Sequence, residues 1–225
     1  MRVLVVDTSL GLCTAGVFAV EGGEARALGL RSEAMTKGHQ ERLAGLARDA
    51  VAEAGGFGAI ERIGVAVGPG SFTGLRVGLA FAQGLGAALD RPVVGISTLD
   101  ALTASAEPGS ATAALIDARR GQVYARFWRG DEAEGPAEAL SIEAARDRSA
   151  GLGDGVRLIG SGAALIADDV AGAAALDLAG PSPAALARLT AAADPAASPP
   201  RPLYLRAPDA TPPTRLPGQP RPPAP

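Results

Sequence analysis

The stretch GPGSFTGLRVG, from Gly68 to Gly78, combines a glycine-rich turn with the start of an apolar helix. The residues before it, Ile63 to Val67, form the short apolar run of a buried strand. The motif therefore predicts a strand-to-helix turn, with Ser71 or Thr73 as the N-cap. Free N–H groups at such a turn can hold an anion, but the spacing is not that of a P-loop. A capped turn without a ligand is an equal alternative.

The predicted helix, Thr73 to Leu89, carries two different rows of residues at four-residue spacing, and residues four apart share a helix face. Each interior glycine costs about 0.5–1 kcal/mol relative to alanine, which favours a role in close backbone approach. The sequence leaves open which row faces the sheet and which faces a partner. The uncharged run from Val77 to Leu89 has 13 residues, too few to cross a bilayer. The small row is Gly74, Gly78, Ala82 and Gly86, and the large row is Val77, Phe81, Leu85 and Leu89.

The composition narrows the class of protein. The chain has 225 residues, of which 47% are hydrophobic, so it can bury a real core. A net charge of −3 argues against a protein that grips nucleic acid by itself. One cysteine excludes an internal disulfide, and one histidine excludes a two-histidine zinc site within the chain. The N-terminus does not resemble a signal peptide, and we expect a cytoplasmic protein without a metal or cofactor.

The order of the predicted elements indicates an α/β fold with mixed sheets. Three strands (Arg2 to Val6, Cys13 to Val20 and Ala25 to Ser32) form a meander, and an amphipathic helix from His39 to Ala54 follows. Strand, helix, strand and helix then alternate up to Ser105. This order is typical of ribonuclease-H-like and actin-like ATPase domains.

The rest of the chain predicts a second, smaller lobe. We expect a first lobe over residues 1–105, a second over 106–207 and a disordered tail over 208–225. In the second lobe, Ala113 to Asp117 and Gln122 to Trp128 form a hairpin, and Pro183 to Ala193 forms a helix. From Pro195 onward lie 12 of the 18 prolines, which disfavours a packed core. Leu203, Tyr204 and Leu205 are an exception that could dock as a last strand or clasp.

Polar residues at the ends of the predicted strands are the candidates for chemistry. Asp7, followed by Thr8 and Ser9, could orient a water or a phosphate, and a turn-capping aspartate is an equal alternative. We expect His39 to be exposed in a capping or partner-contact role. Asp117 and Arg119 are expected to form an exposed salt bridge of the hairpin turn.

Six blocks of sequence stand in order across residues 1–208: VVDTSLGLCTAGVF, KGHQERL, GPGSFTGLRVG, GISTLDAL, LIDARRGQVYARF and PLYLRAP. Together they resemble the TsaB family. That family is the small partner subunit of the bacterial machinery that makes threonylcarbamoyladenosine in tRNA. One departure is Gln122, where the family more often has Glu, which puts a carboxylate role at this position in doubt.

The resemblance implies a two-lobed actin-like fold and a catalytically silent relative of TsaD. TsaD transfers the threonylcarbamoyl group to the adenosine 3′ of the anticodon in tRNAs that read codons starting with A. TsaD-like proteins hold a metal with two histidines on the first helix, and here the matching region offers His39 alone. The implied role is a scaffold that activates TsaD, with the ATPase TsaE as a further partner and tRNA reached only through the complex. A homodimer in the absence of TsaD is left open.

The resemblance also implies two sets of site residues. In this family the first two helices form the dimer surface, and a vestigial nucleotide site would lie at the strand ends. The implied partner interface is His39, Leu43, Leu46, Ala50, Phe72, Gly74, Leu75, Gly78, Leu79, Ala82 and Gly86. The implied vestigial nucleotide site is Asp7, Thr8, Ser9, Gly68, Gly70 and Ser71.

Two other functions compete with this interpretation. An independent ATP-dependent enzyme of the actin-like class, such as a small kinase, would need a phosphate loop at Asp7 to Gly11. It would also need an adenosine loop, for which Gly160-Ser161-Gly162 is a weak candidate, and about 90 residues make a small second lobe. A metallopeptidase is disfavoured by the single histidine.

Overall fold

A computed structural model describes residues 1–106 and 111–206, and the predicted tail lies outside the described residues. The first lobe is a five-stranded sheet in the order β3-β2-β1-β4-β5. The first three strands pair antiparallel, and β4 and β5 extend the sheet in parallel, as the sequence predicts. The strands are β1 (Arg2–Asp7), β2 (Leu12–Glu21), β3 (Glu24–Ala34), β4 (Arg62–Gly68) and β5 (Val93–Ser97).

The second lobe is also a mixed sheet, in the order β11-β10-β6-β7-β8, with β9 paired to β7. The β6–β7 hairpin matches the prediction, whereas the short strands β8, β9 and β11 were not predicted. The strands are β6 (Thr112–Arg119), β7 (Gln122–Arg129), β8 (Glu132–Ala133), β9 (Glu138–Ser141), β10 (Arg157–Ile159) and β11 (Ala174–Leu176).

Helices cover both faces of the first sheet because β1 buries alternate residues on opposite sides. Leu4 and Val6 join the core beneath the first two helices, whereas Val3 and Val5 join the core beneath the last. The helices are α1 (His39–Glu53), α2 (Phe72–Leu89), α3 (Thr98–Thr103), α4 (Ile142–Ala150) and α5 (Pro183–Ala192). Short 3-10 turns occur at Phe57–Ala59, Ala163–Leu165 and Ala167–Asp169.

The position of α5 corrects the predicted division of the chain. The sequence analysis assigns this helix to the second lobe, but Leu186 and Ala187 pack against the first sheet. The guanidinium of Arg62 donates to three carbonyl oxygens at the end of the helix, those of Thr190, Ala191 and Ala193, at 2.7–3.1 Å. The physical reason is that the Val3–Val5 face of β1 needs an apolar cover, and a late segment of the chain supplies it.

The small row of α2 faces the sheet of this chain and not a partner. A Cβ atom placed on Gly74 would lie 2.0 Å from the carbonyl oxygen of Thr8, and one on Gly86 would lie 2.3 Å from Val93 Cγ2. The larger residues of the other row, Val77 and Phe81 among them, are half-buried at the border of the core. Ser71 is the N-cap, because its Oγ accepts from the amide of Gly74 at 3.2 Å.

By length and composition, α2 meets the requirements for a membrane-spanning helix, with 18 residues and a mean hydropathy of 1.2. One third of it is buried inside the chain, and the core helices of proteins that bind no membrane meet the same requirements. It is the only such helix within residues 1–106 and 111–206.

A pair of glycine substitutions on α2 tests this orientation. Gly74→Ala is expected to lower the free energy of unfolding by about 1–3 kcal/mol, because its methyl group would meet the backbone of Thr8. Gly84→Ala is the matched control, since nothing lies within 4 Å of its Cβ position, and it is expected to raise stability by about 0.5–1 kcal/mol. Urea unfolding followed by circular dichroism measures both. Equal effects at the two positions would contradict the orientation of α2.

Candidate functional site

Asp7 ends β1 as a buried carboxylate that caps its own turn. Its Oδ1 accepts from the amide of Ser9 at 2.8 Å and from the Ser9 hydroxyl at 2.6 Å. Only 1% of the residue is exposed. Burial raises the pKa of the Asp7 carboxyl above its ordinary value, against the opposing effects of the two Ser9 hydrogen bonds and of the nearby His39. The capping alternative of the sequence analysis therefore describes the geometry of this side chain.

The glycine-rich loop before α2 is bonded directly to the turn after β1. The amide of Ser71 donates to the carbonyl of Ser9 at 2.7 Å, and the hydroxyl of Thr8 donates to the carbonyl of Gly74 at 2.7 Å. A Cβ atom on Gly70 would lie 2.2 Å from the Ser9 carbonyl oxygen. The structure thus brings the residues of the predicted nucleotide site together, but the Ser9 and Ser71 amides that could face a phosphate are bonded within the protein.

A cleft of about 430 Å³ lies between the lobes beside these two loops. Of the six residues predicted for a nucleotide site, Ser9, Gly70 and Ser71 line the cleft. Asp7 and Thr8 are buried, and Gly68 packs beneath Leu75 and Leu203. The second lobe contributes the opposite wall, which includes Asp117, Arg119, Tyr124 and Ser161. Nucleotide binding at this cleft stays a prediction.

The β6–β7 hairpin forms the second lobe's wall of the cleft. The turn of this hairpin has an unusual backbone conformation. Arg119 and Arg120 adopt left-handed backbone angles, with φ of 61° and 55°. Residues other than Gly, Asn and Asp rarely adopt this conformation. Asp117 accepts from the amide of Arg119 at 2.7 Å and pairs with its guanidinium at 3.2 Å. The predicted turn salt bridge is confirmed. Gln122 is bonded to the guanidinium of Arg206, a contact the sequence analysis missed.

His39 is buried, whereas the sequence led us to expect an exposed side chain. It is 6% exposed at the first position of α1, where Gly38 in a left-handed conformation precedes the helix. Its Nε2 atom is buried without a hydrogen-bond partner in the described part of the chain. The same part of the chain holds no cluster of three or more His, Cys, Asp or Glu side chains suited to a metal ion.

Most residues of the predicted partner interface are occupied by packing within the chain. Ten of the eleven are buried, because the apolar stripe of an amphipathic helix covers its own sheet first. Phe72 is the exception, with 53% of the residue exposed. The ten buried residues are His39, Leu43, Leu46, Ala50, Gly74, Leu75, Gly78, Leu79, Ala82 and Gly86.

The outer face, as we call the solvent side of α1 and α2, contains a shallow groove of about 530 Å³. At one end, the guanidinium of Arg76 lies 3.8 Å from the Phe72 ring centroid, and the Tyr204 ring lies 5.4 Å from the same ring. Nε of Arg76 donates to the Tyr204 hydroxyl at 3.3 Å. The groove is lined by Gln40, Leu43, Ala44, Phe72, Thr73, Arg76, Val77, Ala80 and Phe81.

The partner interface implied by the sequence includes Phe72 and Leu43 of this groove but not its other residues, although a local signal for some of them was present. Phe72, Arg76 and Ala80 recur every four residues on α2 and are all exposed. Gln40 and Ala44 do the same on α1. Tyr204 carried no such signal, since its position beside Phe72 depends on the path of a segment more than 120 residues later in the chain.

Comparison with known proteins agrees with this architecture. A profile of the family described as "TsaD: tRNA N6-adenosine threonylcarbamoyltransferase" matches residues 24–135. An uncharacterized protein of Mycobacterium tuberculosis is 37% identical over 212 residues, which cover 93% of this chain and 94% of the relative. The "tRNA threonylcarbamoyladenosine biosynthesis protein TsaB" of Escherichia coli is 33% identical over 136 residues, 59% of this chain and 57% of the relative.

A solved structure extends the likeness to the whole fold. YeaZ from Pseudomonas aeruginosa superposes with a TM-score of 0.71 and 26% identity, over 91% of this chain and 99% of that one. The fold and the two-lobed arrangement define the class, an α/β protein of two mixed sheets with the fold of YeaZ. Within that class, the chain belongs to the TsaB-like family.

The raised pKa of Asp7 predicts a pH dependence of stability. A carboxyl whose pKa is raised by folding binds its proton more tightly in the folded protein than in the unfolded chain. Its contribution to the free energy of unfolding is therefore largest below the ordinary pKa of 3.8 and is lost as the pH rises through the higher folded value. Asp7→Asn keeps an oxygen acceptor for Ser9 and removes the titration.

We expect the stability of Asp7→Asn relative to the unmodified chain to increase as the pH rises from about 4 to about 7, measured by urea unfolding at each pH. Asp90→Asn is the control, because that side chain is exposed at the end of α2. A difference in stability between Asp7→Asn and the unmodified chain that does not change with pH would show that burial does not raise this pKa.

Proposed function

We propose that this chain is a non-catalytic subunit in the biosynthesis of threonylcarbamoyladenosine in tRNA. In this role the chain binds and activates a TsaD-family transferase. The chain contacts tRNA only as part of that complex. Two findings support the proposal. Curated relatives over part of the chain are named for this pathway, and a profile of the TsaD family matches residues 24–135. A net charge of −3 is consistent with a subunit that does not hold tRNA alone.

The observation that carries the proposal is the outer face. The apolar stripes of α1 and α2 are buried, yet their solvent side still presents Phe72 together with the half-buried Val77 and Phe81. An aromatic and an arginine in contact, here Phe72 and Arg76, are residue types that often dominate the free energy of protein–protein binding. We propose that the TsaD-family partner docks on this face.

Three features of the site support a non-catalytic role. The amides of Ser9 and Ser71 bond within the protein instead of facing a phosphate. The carboxylate of Asp7 is held by Ser9 and is buried, so it does not line the cleft between the lobes. His39 is the one histidine of the chain. These features make an independent kinase-like enzyme the weaker hypothesis.

The remaining parts of the proposal follow from the pathway. A protein that serves tRNA modification in bacteria works in the cytoplasm, where we place this chain. We propose the ATPase TsaE as a further partner of the assembled complex. Purified TsaD from the same genome, assayed for threonylcarbamoyl transfer with and without this chain, tests the activating role. Full transfer activity of TsaD alone would contradict it.

A single substitution tests the docking face. Phe72→Ala removes the most exposed phenyl ring of the groove, and truncation of a central aromatic residue typically costs about 2 kcal/mol of binding free energy. We therefore expect the dissociation constant for the TsaD-family partner to rise about 30-fold, measured by isothermal titration calorimetry.

Leu176→Ala is the matched control for this prediction. Leu176 is a large apolar residue, 43% exposed, on β11 of the other lobe, and its removal should leave the affinity unchanged. Both variants should keep a cooperative thermal transition. A Phe72→Ala variant that binds the partner as tightly as the unmodified chain would remove this end of α2 from the interface.

A further inference from the structure

The last described segment of the chain, residues 198–206, runs across the first lobe toward the cleft. The carbonyl of Ser198 accepts from the amide of Gly95 in β5 at 2.9 Å. The side-chain amide of Gln83 in α2 donates to the carbonyl of Pro200 at 2.8 Å. The amide of Leu203 donates to the carbonyl of Val67 in β4 at 2.8 Å. These bonds hold the segment against the middle of β5, beside α2 and against the end of β4.

The end of this segment touches both lobes within three residues. Tyr204 lies on Phe72 and accepts from Arg76, which belong to the outer face. The guanidinium of Arg206 donates to the carbonyl of Ala118 at 3.0 Å and to the side-chain oxygen of Gln122, which belong to the β6–β7 hairpin. Residues two apart in a chain are separated by no more than about 7 Å, so movement at one contact is transmitted to the other.

The hairpin that holds Arg206 is also a wall of the cleft. Asp117, Ala118 and Arg119 line the cleft opposite Ser9 and Gly70. Widening the cleft moves this wall away from the first lobe. Arg206 must then either release the hairpin, which leaves Tyr204 without its anchor on the second lobe, or follow the hairpin, which draws Tyr204 away from Phe72.

We propose that residues 203–206 form a latch that couples the width of the cleft to the shape of the outer face. With Arg206 seated on the hairpin, Tyr204 and Arg76 are held against Phe72 and the docking face is preformed. When Arg206 is released, Tyr204 loses its position and the docking face loses one side. Where it concerns a partner, the proposal rests on the proposed function, because it describes how binding at that face is regulated.

The first test uses the free protein and needs no partner. Arg206→Ala removes the anchor on the second lobe without changing a residue of the outer face. We expect loss of the nuclear Overhauser contacts between the rings of Phe72 and Tyr204, and hydrogen exchange at the Leu203 amide faster by about tenfold. Unchanged ring contacts and unchanged Leu203 exchange in Arg206→Ala would overturn the latch.

Two further variants separate the latch from a general loss of stability. Arg129→Ala is the matched control, since its guanidinium donates to the carbonyls of Gly151 and Leu152 within the second lobe only. It should leave the contact between Phe72 and Tyr204 intact. Gln122→Ala removes a single acceptor of Arg206 and should give the same change as Arg206→Ala to a smaller degree, even if the latter variant is poorly folded.

The second test measures the effect of the latch on binding. With purified TsaD from the same genome, Arg206→Ala should raise the dissociation constant at least about fivefold, whereas Arg129→Ala should not change it. Because coupling is reciprocal, TsaD should slow the exchange of the Leu203 amide. Binding of TsaD that is equal in all variants would overturn the coupling. If the unmodified chain binds no TsaD, the proposed function fails, while the ring contacts in the free protein still decide the latch.

Discussion

The contact between the turn after β1 and the start of α2 is the constraint on which the rest of the first lobe depends. The carbonyl of Thr8 occupies the space where a side chain at position 74 would lie, and its hydroxyl donates to the carbonyl of Gly74. Only glycine permits this approach, because a Cβ atom would lie 2.0 Å from the Thr8 oxygen. The contact fixes the rotation of α2 about its axis and therefore decides which residues reach solvent.

The same contact separates two possible uses of this fold. It draws the glycine-rich loop onto Ser9, so amides that a phosphate loop would offer to a ligand bond instead within the protein. It also turns Phe72, Arg76 and Ala80 outward, where they form one side of an open groove with α1. In physical terms, the packing that ties the glycine-rich loop to Ser9 also exposes the face on which we propose that a partner docks.

Local patterns of the sequence predicted the elements well, and distant contacts account for what they did not predict. The meander, the strand before Gly68 and the N-cap at Ser71 depend on residues close to one another in the chain. By contrast, the rotation of α2 depends on Thr8, 66 residues away from Gly74. The burial of His39 is different, because its spacing of four residues from Leu43 places it on the buried stripe of α1, a local signal that the expectation of an exposed side chain overlooked.

The site was predicted less completely than the fold for the same reason. The resemblance implied a partner interface on α1 and α2, but apart from Phe72 the implied residues belong to the apolar stripes of these helices, and a single chain buries those stripes in its own core. The outer face also includes Tyr204, which reaches Phe72 only because residues 198–206 return across the first lobe. No periodicity within a helix could have indicated that contact.

Hydroxyl-radical footprinting of the chain, free and mixed with the proposed TsaD-family partner, tests most directly whether the outer face binds that partner. Oxidation of Phe72 and Phe81 should fall sharply in the complex, whereas oxidation of Leu165 and Leu176, which are exposed in the second lobe, should not change. A stable complex that protects Leu165 and Leu176 and leaves Phe72 and Phe81 reactive would contradict the account.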